Sequence, residues 1–330
     1  ALSLSGDLVL MRTDTRDVEA PRDLVQRLIA GERRALAQAI TVLEAGGPAC
    51  SPLIAALKPH LSGISVTGVT GPPGAGKSTL VNALLKRWRR QGLRIGVIAV
   101  DPSSPISGGA ILGDRIRLDA AIDDDGIFVR SLGSAGHLGG LSPAAVRIID
   151  AFDASGFDLV LLETVGTGQN EIDIAAVSNV AVVIAAPGLG DGIQAMKSGL
   201  LEIADVLVVN KADRPDARRT AEHHAAAVSL RAGIGRAPDV LQTSAHSGHG
   251  VDDLADLIRK LGRQAGEREP PEAARQRRAR YIVERQAVEA IRATLDDAEN
   301  PDASVLVDQV LAGEIDAREA ARRLLSQPKA

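Results

Sequence analysis

An α/β fold, with a mainly parallel sheet carrying helices on both faces, is predicted by three features of this 330-residue sequence. Short runs rich in Val and Ile recur from residue 64 onward, segments long enough for a crossover helix separate most of them, and helical patterns bracket the block at both ends. The runs are ISVTGVT, RIGVIAV, IFVR, DLVLLE, VAVVIAA, VLVVN and DVLQTS. Nearly continuous apolar strands of this kind belong in a sheet buried on both faces.

Before the first run, PRDLVQRLIAGERRALAQAITVLEAGG sets Leu24, Leu28 and Leu43 among charged residues and ends in Gly46 and Gly47, the pattern of helices with a stop. After about residue 262 the strand signal ceases, and RQAGEREPPEAARQRRARYIVERQ places a Pro-Pro break before a charged helix. Asp316 and Glu319 stand at capping-box spacing before AARRLL, with Asp in place of Ser or Thr. The expected organisation is an N-terminal helical extension over 1–61, a nucleotide-binding domain over 62–262 and a helical arm over 263–330. The arm has too little apolar surface for a core of its own, so it is expected to pack on the central domain or on a second copy.

Composition narrows the function classes. Hydrophobic residues make up 45 % of the chain, the formal net charge is -4, and the aromatics are three Phe, one Trp and one Tyr. There is no overall attraction to nucleic acid and no set of stacking platforms for bases. Cys50 is the sole cysteine, which suits a reducing compartment. No apolar run reaches the ~20 residues that cross a bilayer, so a cytoplasmic protein without nucleic-acid or membrane partners is expected. The first ~12 residues are expected to lie outside the core.

GPPGAGKST, residues 71–79, carries the first chemical signal. It contains G-x-x-x-x-G-K-[ST] between a strand and the helical LVNALLKRW, the arrangement of a P-loop. Gly71, Pro73, Gly74, Ala75 and Gly76 would wrap the phosphates, with the amides of Lys77, Ser78 and Thr79 opening the helix. Lys77 would reach the β- and γ-phosphates, and the Ser78 hydroxyl would ligate Mg²⁺.

VLVVNKAD selects the base. Asn210, Lys211 and Asp213 form Asn-Lys-x-Asp at the end of an apolar run, a pattern similar to the guanine-recognition motif of P-loop GTPases. Asp213 would accept from the guanine N1 and N2 donors, a pair adenine lacks, while the Lys211 stem covers the ring. Ser244 and Ala245 of TSA resemble the loop whose amide supports guanine O6.

Two further stretches point to the γ-phosphate and the metal. In FDLVLLETVGTGQNE, Glu163 ends a strand where Ras-like proteins carry Asp, and Gly166 is placed to bond the γ-phosphate through its amide. No Gln follows Gly166 directly. Gln169 comes three residues later, as a water-orienting residue or an ordinary loop residue, so intrinsic hydrolysis is expected to be slow. Asp101 and Asp114, in VIAVDPSSPISGGAILGDRIRL, are placed as further carboxylates near Mg²⁺, with turn and N-cap roles as the alternative.

VDPSSPISGGAILGDRIRL, LLETVGTGQNEIDIA, GLGDGIQAMKSGLLEIADVLVVNKAD and LGSAGHLGGLS together resemble the MeaB-type GTPases, also called ArgK-like or MMAA-like, of the SIMIBI class of P-loop proteins. The resemblance runs from about residue 20 to the C-terminus. It implies a GTP-hydrolysing chaperone that gates adenosylcobalamin loading into an acyl-CoA mutase and protects or reactivates it, with an adenosyltransferase as a further partner. It also implies a homodimer formed partly by the C-terminal arm. Lys77, Asp101, Asp114, Glu163 and Gly166 would carry catalysis, with Ser78 joining the carboxylates at the metal. Asp191, Gln194 and Lys197 fall in GLGDGIQAMKSG, the counterpart of the loop called switch III. Family members often show Asp-Glu-Leu-Gln there, whereas this chain has Asp191, Gly192, Ile193 and Gln194. GTP, GDP and Mg²⁺ are the implied ligands, with cobalamin handled by the partner.

Three other readings compete. A nickel-delivery GTPase of the same class would show a His-rich tract or paired cysteines. Here His223 and His224 are read on a solvated helix, and His246 and His249 in a loop. A nucleotide-dependent kinase conflicts with the guanine motif and lacks an evident acceptor-activating base. A purely structural adaptor would be expected to have lost Lys77, Ser78 or a carboxylate.

Overall fold

The computed structural model describes residues 20–101, 120, 124–133, 141–164, 170–188, 200–229, 237–297 and 301–326. Three helices lead, α1 (Pro21–Ile29), α2 (Arg33–Ala45) and α3 (Cys50–Leu57). The central domain follows as β1 (Ser65–Thr70), α4 (Lys77–Arg90), β2 (Ile95–Asp101), β3 (Ile127–Gly133), α5 (Pro143–Ala154), β4 (Leu159–Thr164), α6 (Asn170–Val177) and β5 (Val180–Ala185). It continues with α7 (Leu200–Ile203), β6 (Val206–Val209), α8 (Ala217–Ser229), β7 (Asp239–Gln242) and α9 (Val251–Arg268). The arm contains α10 (Pro271–Asp296), α11 (Pro301–Leu311) and α12 (Ala317–Ser326).

All seven apolar runs are strands of one sheet, in the order β3-β2-β4-β1-β5-β6-β7, and every pairing is parallel. Parallel strands point their carboxyl ends to one edge, so the ends of β1, β2, β4, β6 and β7 share that edge. Motifs far apart in the chain therefore meet there.

The sheet separates two apolar layers. Along β4, Val160 and Leu162 join α1, α2, α3 and α5, while Leu161 faces the layer containing α4 and α9. The leading helices bury Leu24, Leu28, Leu36, Ile40, Leu43 and Leu53 in the first layer, so they complete the core beside α5. Burying a side chain of this size stabilises by about 1.5–3 kcal/mol relative to leaving it in water. Local signals set several helix starts. Pro143 is at N1 of α5 and the Ser142 hydroxyl accepts from Ala144 N at 3.2 Å, while Pro271 opens α10.

The arm packs through its beginning. Ala274, Arg278 and Tyr281 of α10 are buried, whereas Val283, Val288 and Leu295 are exposed, as are Val305, Val307 and Leu311 of α11 and Leu325 of α12. At the expected capping box, Glu319 N donates to the Asp316 carboxylate at 2.7 Å. The reading of two solvated histidines on α8 fails for one of them: His223 is exposed, but His224 is fully buried in line with Ala217, Ala221 and Val228. Helical periodicity sends the second member of the pair inward. Burial, then the neighbouring His223, depresses its pKa.

Candidate functional site

The P-loop closes at the carboxyl edge between β1 and α4. Gly76, at φ 87°, opens α4, and Lys77 is buried with its ammonium donating to the carbonyls of Gly71 at 2.7 Å and Pro72 at 3.1 Å. Pro73, Gly74 and Ala75 complete the turn, and Ser78 and Thr79 occupy the first turn of the helix. Amide groups at such a helix start favour an anion both by hydrogen bonding and by the helix dipole.

Glu163 reaches this loop through strand register. It pairs with Val69 on β1 and Ala99 on β2, is buried at the end of β4, and accepts from the Ser78 hydroxyl at 2.7 Å. One residue on, the Thr164 hydroxyl meets that of Thr70 at 3.0 Å, a second tie between the strand ends. A hydroxyl and a carboxylate side by side are hard oxygen donors, so the pair fits Mg²⁺ rather than a softer metal. Among the described residues, no group of three or more His, Cys, Asp and Glu side chains is gathered as for a protein-only metal site. Asp101 ends β2 at the same edge, but its side chain lies outside the described residues, as do Asp114, Gly166, Gln169, Asp191, Gln194 and Lys197.

The base motif is built into the P-loop. Asn210, at the end of β6, is buried and donates from Nδ2 to the Ala75 carbonyl at 2.9 Å. Its Oδ1 accepts from the Thr243 hydroxyl at 3.2 Å and from Ala245 N at 3.3 Å. One side chain thus joins the phosphate loop to the loop after β7. The approach requires Gly76: a Cβ there would lie 2.5 Å from Asn210 Nδ2. Lys211 has φ 60°, a left-handed conformation that a non-Gly residue keeps when its surroundings demand it, and its ammonium donates to Gly74 O at 2.6 Å.

Asp213 is exposed and held by the Ser244 hydroxyl at 2.6 Å. That hydrogen bond, followed by one from its own backbone, lowers its pKa and keeps it ionised, as an acceptor must be. Ala245 also lines a cleft of about 880 Å³ between α4 and the loop after β7, with Lys86, Arg90, His246 and Ser247.

The structure therefore brings Lys77, Ser78 and Glu163 together, and separately ties Asn210 and Lys211 to the same loop, with Ala245 joined to Asn210 and, next to it, Ser244 to Asp213. Sequence reasoning passed over Thr243, Thr70 and Thr164. The Thr of TSA was a signal for the first, whereas the other two are ordinary strand residues until register pairs them.

Comparison with known proteins gives a consistent picture. Residues 36–300 match the family model described as "Methylmalonyl Co-A mutase-associated GTPase MeaB". A Pyrococcus horikoshii protein bearing a GTPase name is 45% identical over 242 residues, spanning 72% of this chain and 76% of its own. The mouse protein "Methylmalonic aciduria type A homolog, mitochondrial" is 35% identical over 257 residues, 72% of this chain and 62% of its own. Among solved structures, one titled "Crystal structure of LAO/AO transport system kinase" superposes with a TM-score of 0.70 at 28% identity, covering 93% of this chain and 97% of that one.

Proposed function

Because the chain belongs to the MeaB family of GTPases, we propose that it uses GTP hydrolysis to gate adenosylcobalamin loading into an acyl-CoA mutase and to protect or reactivate that enzyme. Hydrolysis of GTP to GDP and phosphate is the family's activity. The client is the further step. It is supported by the family's description as mutase-associated and by the likeness to a protein named for methylmalonic aciduria.

The observation that carries the reading is the Asn210 bridge from Ala75 O to Ala245 N, which supports it by joining the loop proposed for the phosphates to the loop proposed for the base. In the proposed mechanism, the P-loop amides and Lys77 hold the phosphates and stabilise charge on the transferred group. Ser78 and Glu163, with Asp101 and Asp114, would hold Mg²⁺, which when bound neutralises charge between the β- and γ-phosphates. Asp213 reads the guanine edge, Lys211 covers the ring, and Ser244 and Ala245 support the base. Gly166 would sense the γ-phosphate. Asp191, Gln194 and Lys197 would face the partner.

With no Gln next to Gly166, turnover without a partner is expected to be slow. A switch of this kind transmits information only if the mutase binds the GTP and GDP states unequally. The proposed arrangement keeps a G domain at 62–262 between an N-terminal extension, 1–61, and an arm, 263–330, that pairs with a second copy. Exposed Leu295, Val305, Val307, Leu311 and Leu325 support the last point.

The test is phosphate release from GTP by the purified protein, alone and with candidate adenosylcobalamin-dependent mutases, with ATP as control. Slow GTP-specific release accelerated by one mutase supports the chaperone reading and identifies the client. Turnover indifferent to every such mutase overturns it, and appearance of a phosphorylated acceptor in place of free phosphate would indicate a kinase.

A further inference from the structure

The C-terminal end of α6 is capped by side chains from the arm. The four last carbonyls of an α-helix lack partners within it and carry the negative end of its dipole. In α6, Ile174 O accepts from Ser178 N at 2.9 Å and Ser178 Oγ at 2.5 Å. The remaining three are taken from α10. Arg277 donates to Ala176 O at 2.5 Å and Ala175 O at 3.4 Å, and Arg278 Nε donates to Val177 O at 2.9 Å.

Each arginine is itself fixed. Arg277 is paired with Glu269 at 2.9 Å, and Arg278, 4% exposed, donates also to Asn179 Oδ1 at 2.8 Å. One turn further along α10, the Tyr281 hydroxyl lies 3.0 Å from Asp173 Oδ2 of α6 and accepts from Leu141 N at 3.1 Å, at the entrance to α5. Its single proton goes to the carboxylate, the stronger acceptor. Burial, followed by the Asp173 charge, raises the phenol pKa and keeps it a donor.

What α6 touches gives these contacts a consequence for turnover. Asn179, directly after the capped end, exchanges hydrogen bonds with β1: its N donates to Val66 O at 2.7 Å and its Oδ1 accepts from Val66 N at 2.9 Å. The helix also lies hard against Gly68, where a Cβ would meet Ile174 Cγ1 at 2.7 Å and Ser178 Oγ at 2.8 Å. β1 leads into the P-loop. At its other end, α6 is joined by a short stretch of chain to Thr164, adjacent to Glu163. The face of α10 bearing Arg277, Arg278 and Tyr281 therefore fixes the helix between the phosphate strand and the strand that carries Glu163.

We propose that Arg277, Arg278 and Tyr281 are positioning residues for GTP hydrolysis, acting through α6, so that the C-terminal arm is energetically coupled to the nucleotide site. This inference rests on the roles proposed above for Lys77 and Glu163. Coupling of this kind is reciprocal for binding: whatever grips the arm biases nucleotide affinity, and nucleotide biases the arm.

The test uses the full-length protein and steady-state GTP hydrolysis, with affinities for GDP and a non-hydrolysable GTP analogue measured alongside. Tyr281→Phe keeps the ring and removes only the hydroxyl; Arg278→Gln removes the cap's charge, and Arg278→Lys restores charge without the fork. Glu284→Gln, on the exposed face of α10, is the control. Tyr281→Phe and Arg278→Gln are expected to lower kcat by about fivefold or more, Arg278→Lys recovering part of the loss. The analogue's affinity should shift while that of GDP stays near wild type.

A folded Tyr281→Phe with wild-type kcat and KM, or variants that weaken GDP and analogue equally, would leave these residues a merely structural role and overturn the proposal. If Arg278→Gln does not fold, Tyr281→Phe alone decides. Failure of the underlying reading looks different: the wild type itself would then hydrolyse no GTP, or Glu163→Gln would leave its turnover unchanged.

Discussion

Asn210→Ala is the perturbation whose outcome can be worked most directly from the structure. The side chain makes four hydrogen bonds, with Ala75 O, Thr243 Oγ1, Ala245 N and, longest at 3.4 Å, Gly76 O, and it is 2% exposed. At about 1 kcal/mol net for each of the three shorter bonds, the loss is about 3 kcal/mol, and a buried partner left unsatisfied adds about 1–3 kcal/mol. A destabilisation of about 4–6 kcal/mol is therefore expected, measured as a shift of the urea midpoint at constant slope. Because the bonds join two ligand-binding loops, GDP affinity measured by titration should fall at least about tenfold, equivalent to 1.4 kcal/mol.

Thr243→Val supplies the second side of a cycle. It removes one of these bonds, so its cost should shrink in the Asn210→Ala background. A stability change under about 1 kcal/mol with GDP affinity within about twofold of wild type would refute the idea that this side chain fastens the base loop to the P-loop.

Asp213→Asn should shift preference from GTP toward xanthosine triphosphate while leaving phosphate handling intact; parallel titrations check it, and unchanged GTP preference counts against the base assignment. Lys77→Ala should abolish detectable turnover, read as phosphate release at saturating GTP. Burial raises the Asp150 carboxyl to about 6, against the pull of Arg275 and Arg278, so it binds its proton more tightly folded than unfolded. Its contribution to stability is present below the unfolded value of 3.8 and is lost as pH rises toward about 6. Thermal midpoints of wild type and Asp150→Asn across that window should therefore differ, with the variant gaining relative to wild type as pH rises. A constant difference would mean that Asp150 titrates normally.

The fold was legible because its central strands, β2, β4, β1, β5 and β6, are buried on both faces, and such runs stand out against any helix or loop. The roles proposed for Lys77, Ser78, Glu163, Asn210 and Asp213 were legible for another reason. Phosphate, metal and guanine each present a fixed set of donors and acceptors, so the residues that meet them are confined to a few types at fixed spacing. What Asn210 touches was not legible, since Ala75 and Ala245 come to it only through the order β1-β5-β6-β7, a relation no local window contains. His224 shows the same limit: its neighbour His223 is exposed, and only the direction of the helix face separates them.

The arginines of α10 carry the point furthest. In ARQRRARY, Arg275, Arg277, Arg278 and Arg280 belong to the stretch that reads as a charged helix. Yet Arg278 is buried and spends its guanidinium on Val177 O and Asn179, while Arg280 is exposed. A helix C-terminus accepts any cation that geometry can deliver, so the cap places no constraint on sequence spacing that could be recognised in advance. Residues that bind a ligand are chosen by the ligand's chemistry and leave a pattern; those that fasten one element to another are chosen by position alone. The coupling between arm and nucleotide site is of the second kind, which is why it emerges only when the carbonyls at the end of α6 are accounted for one by one.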